Sequence, residues 1–344
     1  IHVCKKLCGA DKMIDTATIF TFIENDFVDE LCRGLISYGN YYSKNRIYNR
    51  KRYSEIYYSY TGLMYLGIIE VRIFKRSFYC EKSFVEMKIR LNRLYESGYC
   101  WEVIRYENIK KALENLQRYM KIINGYATRN ILPNLNRWHV KRVDYAIDVK
   151  CDNKEEVYQI FKAAFEPTGL KKKDYPTSCY MVGKGVNINF YDKSAQLENS
   201  GVFHLDSENN VFRFEVQVKK IKIYEVGRKL GAYTLKMFCT QNAFQKIYAR
   251  YYEKTLGLLD FYSFRSAIKR IEERVCSTKR KNYLLAHIKT IQKMGYFYWY
   301  SINTKAQRNR FKKSMAELCM SWIMFESDSV DTIENKVAKI LEEF

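Results

Sequence analysis

The sequence WHVKRVDYAIDVK, residues 138–150, decides how the chain is expected to fold. Successive side chains of a β-strand point to opposite faces of the sheet, and this stretch alternates in the same way. Apolar residues share one face: Val143, Tyr145 and Ile147. Charged residues share the other face: Arg142, Asp144 and Asp148. Carboxylates beside an arginine are costly in a core unless they are paired or hold a metal, so this strand is expected to border a functional site.

Two later stretches repeat this alternation. In VNINFYDK, residues 186–193, the polar positions are Asn187, Asn189, Tyr191 and Lys193. In VFRFEVQV, residues 211–218, the polar positions are Arg213, Glu215 and Gln217. If the three strands share one sheet with their apolar faces on the same side, carboxylates, a tyrosine, a lysine and two arginines meet on its polar surface. That surface is the predicted site.

The predicted elements follow one another as strands, a helix, the strand at 138–150, a second helix and more strands. The helices are expected from Ile109 and after Asn153, where Asn153 and Glu156 resemble a capping box. This order predicts an α+β fold, an antiparallel sheet with helices on one face, which leaves the other face open. No internal repeat is visible.

Beyond Gly227 the sequence predicts an α-helical C-terminal region. We expect residues 1–12 to be an upstream extension, residues 13–225 to form the sheet domain and residues 226–344 to form the helical region. The helices are predicted at about 232–255, 262–275, 278–294 and 303–325.

The charge of the chain favours a polyanionic partner. Fifty-nine Lys and Arg oppose 38 Asp and Glu, which gives a formal net charge of +21. Nucleic acid is the first candidate and an acidic membrane surface the second. The sequence has no apolar run that could span a bilayer, and its ten cysteines form no CxxC pair, so a soluble cytoplasmic protein with reduced thiols is expected, without a membrane partner.

Two stretches without any acid concentrate the basic residues. The first, 33–54, interleaves tyrosines with basic residues that include Arg46, Arg50, Lys51 and Arg52. The second, 279–316, includes Arg308, Arg310 and Lys312 and is expected to form a helical hairpin across Gly295. Both suit DNA binding, the first by base stacking and the second on a duplex. The alternative for each is a solvated basic surface.

The polar surface has the residues for phosphodiester chemistry. A tyrosine is a weak nucleophile unless a cation favours its phenolate, and oxygen ligands suit Mg²⁺ or Mn²⁺. We expect the metal ligands to be Asp144, Asp148 and Glu215, and Lys193 to assist Tyr191. Arg142 and Arg213 are expected to clamp phosphates. The alternative is that Asp144–Arg213 and Arg142–Glu215 are structural cross-strand salt bridges.

The motifs RVDYAID, NFYDK and FRFEVQV, in this order, resemble the gene II replication initiators of filamentous phages. They are also similar to the wider group of rolling-circle initiators that includes staphylococcal plasmid Rep proteins. The opening Met13-Ile14-Asp15 matches as well, so the resemblance covers about residues 13–240. It implies a Rep nuclease-like fold for the sheet domain.

The resemblance also implies an activity. Such an initiator nicks one strand at a double-strand origin through a tyrosine, keeps the 5′ phosphate as a phosphotyrosyl ester, and later rejoins the displaced strand. Carried over by motif, Tyr191 is the nucleophile and Asp144 and Glu215 are the best metal ligands, with Asp148 third. The implied partners are origin duplex, single-stranded DNA, and a host helicase and polymerase in a bacterial cytoplasm.

Two other functions stay open. One is a DNA-binding regulator without nuclease activity, acting on single strands or on a duplex, which aromatic residues on the open face would favour. The other is a conjugative relaxase or transposase with the same nicking chemistry. The chain has only four histidines and no His-x-His cluster, so a histidine-based relaxase site is not expected.

Overall fold

The computed structural model of the chain describes residues 12–36, 41–47, 54–75, 82–96, 102–125, 130–201 and 209–342, with the backbone alone for Lys12, 41–47 and 54–57. The strands are β1 (Lys12–Glu24), β2 (Tyr41–Ile47), β3 (Ser54–Tyr60), β4 (Ile68–Lys75), β5 (Lys82–Arg90), β6 (Ile104–Arg105), β7 (His139–Lys150), β8 (Leu170–Tyr175), β9 (Ser178–Gly183), β10 (Val186–Asp192), β11 (Val211–Lys219), β12 (Phe261–Ser263), β13 (Met324–Phe325) and β14 (Thr332–Ile333).

The helices alternate with these strands in the first two thirds of the chain and dominate the last third. They are α1 (Val28–Ile36), α2 (Leu91–Tyr95), α3 (Ile109–Gly125), α4 (Lys154–Ala163), α5 (Lys193–Asn199), α6 (Lys220–Leu230), α7 (Leu235–Phe238), α8 (Gln241–Phe244), α9 (Arg250–Thr255), α10 (Phe264–Arg274), α11 (Thr278–Ile302), α12 (Lys305–Ala316) and α13 (Lys336–Glu342). A π-helical turn, Gln245–Ala249, joins α8 to α9.

The main sheet is antiparallel, and the predicted α+β class is confirmed. Its strand order is β2-β3-β4-β5-β1-β7-β11-β10-β9-β8, and β6 pairs with β1 beside this path. The apolar face is formed as predicted, because Val143, Tyr145 and Phe214 are at most 3% exposed. Helices cover this face: Phe161 of α4 stacks on Phe190 of β10. The opposite face carries the polar residues.

The sheet consists of two halves with the same topology. In each half a long strand and a helix are followed by four strands, and the last of these four pairs with the long strand. The first half has the order β2-β3-β4-β5-β1 and the second has β8-β9-β10-β11-β7. Because β1 and β7 pair antiparallel at the centre, an approximate twofold axis relates the halves. The sequence shows no repeat, so this duplication is visible only in the structure.

The C-terminal helices pack against the sheet domain. Tyr248 and Tyr252 contact the ring of Phe214 with centroids 5.3 and 4.6 Å apart, and one hydrophobic core includes residues from both regions. The predicted boundary at 225–226 lies inside α6. A small sheet of order β13-β12-β14 was not predicted: the predicted helix 303–325 ends at Ala316, and Met324–Phe325 form β13. No helix among the described residues is long and apolar enough to cross a membrane.

Two local predictions meet different outcomes. The kink expected at Gly295 is present, since its φ of 81° and ψ of 165° are not helical. The capping box at the start of α4 does not form, because the Asn153 side chain makes no capping hydrogen bond. Glu156 instead accepts a hydrogen bond from Ser327 at 2.9 Å, which ties α4 to the C-terminal region.

Candidate active site

Strands β7, β11 and β10 are neighbours, so the predicted polar residues share one surface. The register places Arg213 between Asp148 and Tyr191, in one row across the three strands. In the next row Glu215 lies opposite Ala146 and Asn189. The small Ala146 leaves space above β7, and the Glu215 carboxylate lies near that of Asp144. We call this surface the central cluster: Asp15, Asp144, Asp148, Tyr191, Lys193, Arg213 and Glu215.

Arg213 organises the central cluster from within. Its Nε and Nη2 donate to the two oxygens of Asp148 at 2.6 and 2.7 Å, and its Nη1 lies 3.3 Å from Asp15 Oδ2. Burial opposes its charge, but these carboxylates hold the pKa of Arg213 well above its ordinary value. The sequence predicts that Arg213 clamps a phosphate. Its side chain is 0% exposed, however, so it fixes the strands and does not offer a clamp to an incoming phosphate.

Arg142 and Asp144 form a pair on the same strand. Arg142 donates through Nε and Nη2 to both oxygens of Asp144, at 2.7 and 2.9 Å, and Thr16 donates to the same carboxylate. Burial nevertheless raises the pKa of Asp144. The cross-strand salt bridges given as the structural alternative, Asp144–Arg213 and Arg142–Glu215, are not the pairs that form; the observed pairs are Arg142–Asp144 and Arg213–Asp148. Arg142 keeps 36% of its side chain exposed and can still reach solvent.

Tyr191 and Glu215 are joined by a hydrogen bond. The phenol donates to Glu215 Oε2 at 3.0 Å, while Gln217 donates to Glu215 Oε1 at 2.6 Å. Burial, then the nearby Asp144 and Asp15 carboxylates, raise the pKa of Glu215 to about 7. Burial also raises the pKa of Tyr191 well above its ordinary value. The phenol therefore needs a proton acceptor to become a nucleophile, and Glu215 is in contact with it.

Lys193 reaches the site from a helix, although it was predicted on a strand. Strand β10 ends at Asp192, whose carboxylate caps α5 by accepting from the Ala195 amide at 3.0 Å. Lys193 is the first residue of α5, and its Nζ lies 6.0 Å from the centre of the Tyr191 ring. Burial and then the Arg213 charge lower its pKa to about 8. A lysine with this pKa can donate a proton near neutral pH.

Asp15 belongs to the site and was not predicted there. The register of β1 against β7 shifts between Ile14 and Thr16, and this bulge lets Asp15 and Thr16 both contact groups of the polar face. Asp15 is 7% exposed, between Arg213 and Arg90. The position of Asp15 in the motif Met13-Ile14-Asp15 is the local signal of this role.

The charge of the central cluster fits a divalent cation. Asp15, Asp144 and Glu215 are buried carboxylates, and Asp15 Oδ1 accepts no hydrogen bond. Among the described residues no three His, Cys, Asp or Glu side chains are grouped as a ready metal site. Mg²⁺ commonly uses one or two protein carboxylates together with water and substrate phosphates, which this arrangement allows. Asp144 and Asp148 each have both oxygens bound by an arginine, but Asp148 suits the role least, because its partner Arg213 is fully buried while Arg142 is 36% exposed and has room to move away.

The predicted DNA-binding residues of the C-terminal helices differ in their accessibility. Arg308 donates to the Tyr300 and Asn303 carbonyls at 2.7 and 2.9 Å, so it caps the end of α11. Lys312 lies between two rings, with Nζ 3.8 Å from the centre of Trp322. Arg310 is exposed beside Tyr283. Only Arg310 of these three presents its charge mainly to solvent.

The basic residues of the first acid-free stretch fall largely outside the described residues. Arg50, Lys51 and Arg52 are not described, and of Arg46 only the backbone in β2 is described. Their predicted contribution to DNA binding therefore stays a prediction.

The open face also carries aromatic residues outside the central cluster. Phe20 and Phe22 of β1 alternate with the buried Ile19 and Ile23 and lie on the open side, Phe22 with 48% exposure. Between these rings and the central cluster runs a groove of about 380 Å³. The groove is lined by Thr18, Glu70, Arg72, Glu86, Lys88, Lys141, Arg142, Lys219 and Lys220. Its basic side chains outnumber its acids, which suits a phosphate backbone.

The sequence was also compared with known proteins. No protein-family model matches the chain, and no curated protein is significantly similar to it. The chemical interpretation of the central cluster therefore depends on its own geometry and on the motif resemblance.

Proposed function

We propose that this protein nicks and rejoins DNA as a rolling-circle replication initiator, with Tyr191 as the nucleophile. The observation that carries the proposal is the hydrogen bond from Tyr191 to Glu215, a buried carboxylate with a pKa of about 7, beside a basic groove. The motif resemblance adds the biological setting: origin duplex and displaced single strand as substrates, with a host helicase and polymerase, in a bacterial cytoplasm.

In the proposed cleavage the Tyr191 Oη attacks a backbone phosphorus. A bond forms between Oη and phosphorus, and the bond between phosphorus and the 3′ oxygen breaks. Glu215 accepts the phenolic proton, for which its contact and raised pKa suit it. Lys193, with a pKa of about 8, supplies a proton to the departing 3′ oxygen. The products are a 5′-phosphotyrosyl ester and a 3′-hydroxyl, and rejoining is the reverse reaction.

The remaining groups stabilise charge and hold the site together. Asp15 and Asp144 would hold a bound Mg²⁺ or Mn²⁺, which would neutralise charge on the phosphoryl oxygens. This assigns Glu215 to proton transfer, whereas the sequence suggested a metal ligand. Arg142, with a partly exposed guanidinium, is suited to contact a neighbouring phosphate. Arg213 and Asp148 keep the three strands in register.

A DNA-binding protein without nuclease activity is the second candidate. Two observations favour it: Tyr191 is only 8% exposed, and aromatic rings lie on the open face. A strand can reach the phenol only when the groups around Tyr191 make room for it. Binding alone would use the groove and the rings and leave the phenol unmodified.

Covalent trapping tests the proposal. We would incubate the full chain and Mn²⁺ with a pool of single-stranded oligonucleotides of random sequence labelled at the 3′ end. An adduct that resists denaturing gel electrophoresis is expected, and peptide mass spectrometry should locate the nucleotide on Tyr191. Tyr191→Phe removes one oxygen and should abolish the adduct while oligonucleotide binding is retained.

Tyr180→Phe is the matched control. Tyr180 lies opposite Asn189 on the neighbouring strand β9, is more exposed than Tyr191, and has its pKa raised by burial and, in part, by Glu215. This variant should still form the adduct. An adduct on Tyr180 would reject the assignment of Tyr191. Tight oligonucleotide binding without any adduct would reject nicking and support the second candidate.

A further inference from the structure

The twofold relation of the sheet halves gives the central cluster a counterpart in the first half. Strand β1 ends at Glu24 and α1 begins at Val28, while β7 ends at Lys150 and α4 begins at Lys154. Matching these junctions places Phe22 of β1 at the position of Asp148 of β7.

The cross-strand pairs extend this match. In the first half Phe22 pairs with Phe84, which pairs with Phe74. In the second half the corresponding row is Asp148, Arg213 and Tyr191. An aromatic row thus takes the place of the reactive row, on the same face of the sheet.

A pocket of about 350 Å³ opens beside this aromatic row. Its floor includes Phe20, Phe22 and Phe84, and its wall includes Tyr224 of α6 and Tyr233. Phe22 and Tyr224 are 48% and 45% exposed, so much of their ring surface faces solvent. Rings held on a rigid strand offer flat surfaces of the size of a nucleobase, and stacking does not depend on which base it is.

Cations adjoin the pocket and connect it to the groove. Lys141 and Lys220 line both the pocket and the groove. The groove continues past Lys219 and Arg142 towards Asp144. A phosphate backbone lying in the groove would place bases over the rings at one end and a phosphate near Tyr191 at the other.

The two ends are far enough apart to engage different nucleotides. Tyr145 of β7 pairs with Ile14 of β1, so Asp148 lies about ten residues along the strand direction from Phe22. At about 3.3 Å per residue this separation is roughly 30 Å. One strand can therefore occupy the pocket and the central cluster together.

We propose that this pocket binds the bases of single-stranded DNA by stacking, and that Lys141 and Lys220 contact the adjoining phosphates. The proposal rests on the nucleic-acid substrate of the proposed function but not on its nicking step. A duplex hides its base faces, so the pocket selects the unpaired strand.

The test measures binding by the full chain in EDTA, where cleavage does not contribute. The probes are a fluorescent oligothymidylate of about 20 nucleotides, longer than the ~16 that a single-strand-binding fold contacts, and an abasic oligonucleotide of the same length and charge. Phe22→Ala should weaken oligothymidylate binding about tenfold or more and leave abasic binding unchanged. Phe22→Tyr should bind nearly as the wild type does.

Phe297→Ala is the matched control, because Phe297 lies on α11 outside the pocket lining and is 91% exposed. It should change neither affinity. The proposal is overturned if Phe22→Ala binds oligothymidylate as tightly as the wild type, or if it weakens both probes equally. Covalent adduct formation by the wild type is scored separately. If the wild type forms no adduct but Phe22→Ala still weakens oligothymidylate binding, nicking alone is rejected. If the wild type forms the adduct but Phe22→Ala does not weaken binding, the pocket alone is rejected.

Discussion

Replacement of Glu215 by glutamine is expected to stabilise the fold at pH 8 and to have little effect near pH 4.5. Burial, and then the nearby Asp144 and Asp15 carboxylates, raise the pKa of Glu215 from 4.5 to about 7. Between these values the folded state holds a proton that the unfolded chain has released. Stability therefore falls as the pH rises through this window, and above pH 7 the ionised Glu215 destabilises the fold.

The size of the effect follows from the pKa interval. An interval of about 2.5 pH units corresponds to about 3 kcal/mol. Glutamine has the shape of a protonated glutamate, so near pH 4.5 the variant and the wild type should agree within about 1 kcal/mol. At pH 8 the introduced amide has only one oxygen to accept the hydrogen bonds that Tyr191 and Gln217 donate to the two carboxylate oxygens of Glu215. Allowing about 1 kcal/mol for their poorer geometry leaves a net gain of about 2 kcal/mol.

Urea unfolding at the two pH values measures this difference directly. A gain of about 2 kcal/mol also raises the melting temperature by roughly 3 °C in a chain of this size. Glu86→Gln is the control, since Glu86 occupies the matching position of the first half but is paired with Lys141. Loss of the Glu86 carboxylate should destabilise the fold at pH 8, because Lys141 then loses its partner. If Glu215→Gln shifts stability equally at both pH values, Glu215 does not titrate as inferred.

The other predictions concern the metal and the basic helices. Nicking should stop in EDTA, and undiminished nicking there would refute a metal role. Asp15→Asn should raise the Mn²⁺ concentration needed for half-maximal nicking about tenfold while DNA binding persists. Arg310→Ala should reduce the salt dependence of duplex binding by about one phosphate contact, a change of ~0.9 in the log–log slope, because the side chain is exposed. Lys312→Met should leave that slope unchanged, since Lys312 packs on Trp322 and burial lowers its pKa to about 8; a smaller slope in this variant would show that Lys312 reaches DNA.

The alternation of side chains could be predicted from the sequence because it is a local property of a strand. Strands β10 and β11 were predicted over 186–193 and 211–218, and they lie at those positions to within one residue. The polar face with Asp144, Tyr191 and Glu215 followed from the same alternation. Helix α3 was predicted from its apolar stripe, whose spacing is also set locally.

Partners that are distant in the sequence could not be predicted in this way. Whether Arg213 pairs with Asp144 or Asp148 depends on the register of β7 against β11, and both pairings fit the same alternation. Asp15 enters the site through a bulge in β1, which arises in the pairing of β1 with β7. Lys312 is partly covered by the rings of Phe165 and Trp322, which only the packing of the C-terminal region brings to it.

The sequence alone thus determined which residues can share a face, and the tertiary structure decided which of them touch. The duplicated halves show the difference, because Phe22, Phe84 and Phe74 have no chemical likeness to Asp148, Arg213 and Tyr191 and still occupy matching places. Backbone hydrogen bonds and the buried apolar face fix those places, while side chains on the open face are free to differ. Strand topology therefore places an aromatic pocket and a reactive cluster on one surface.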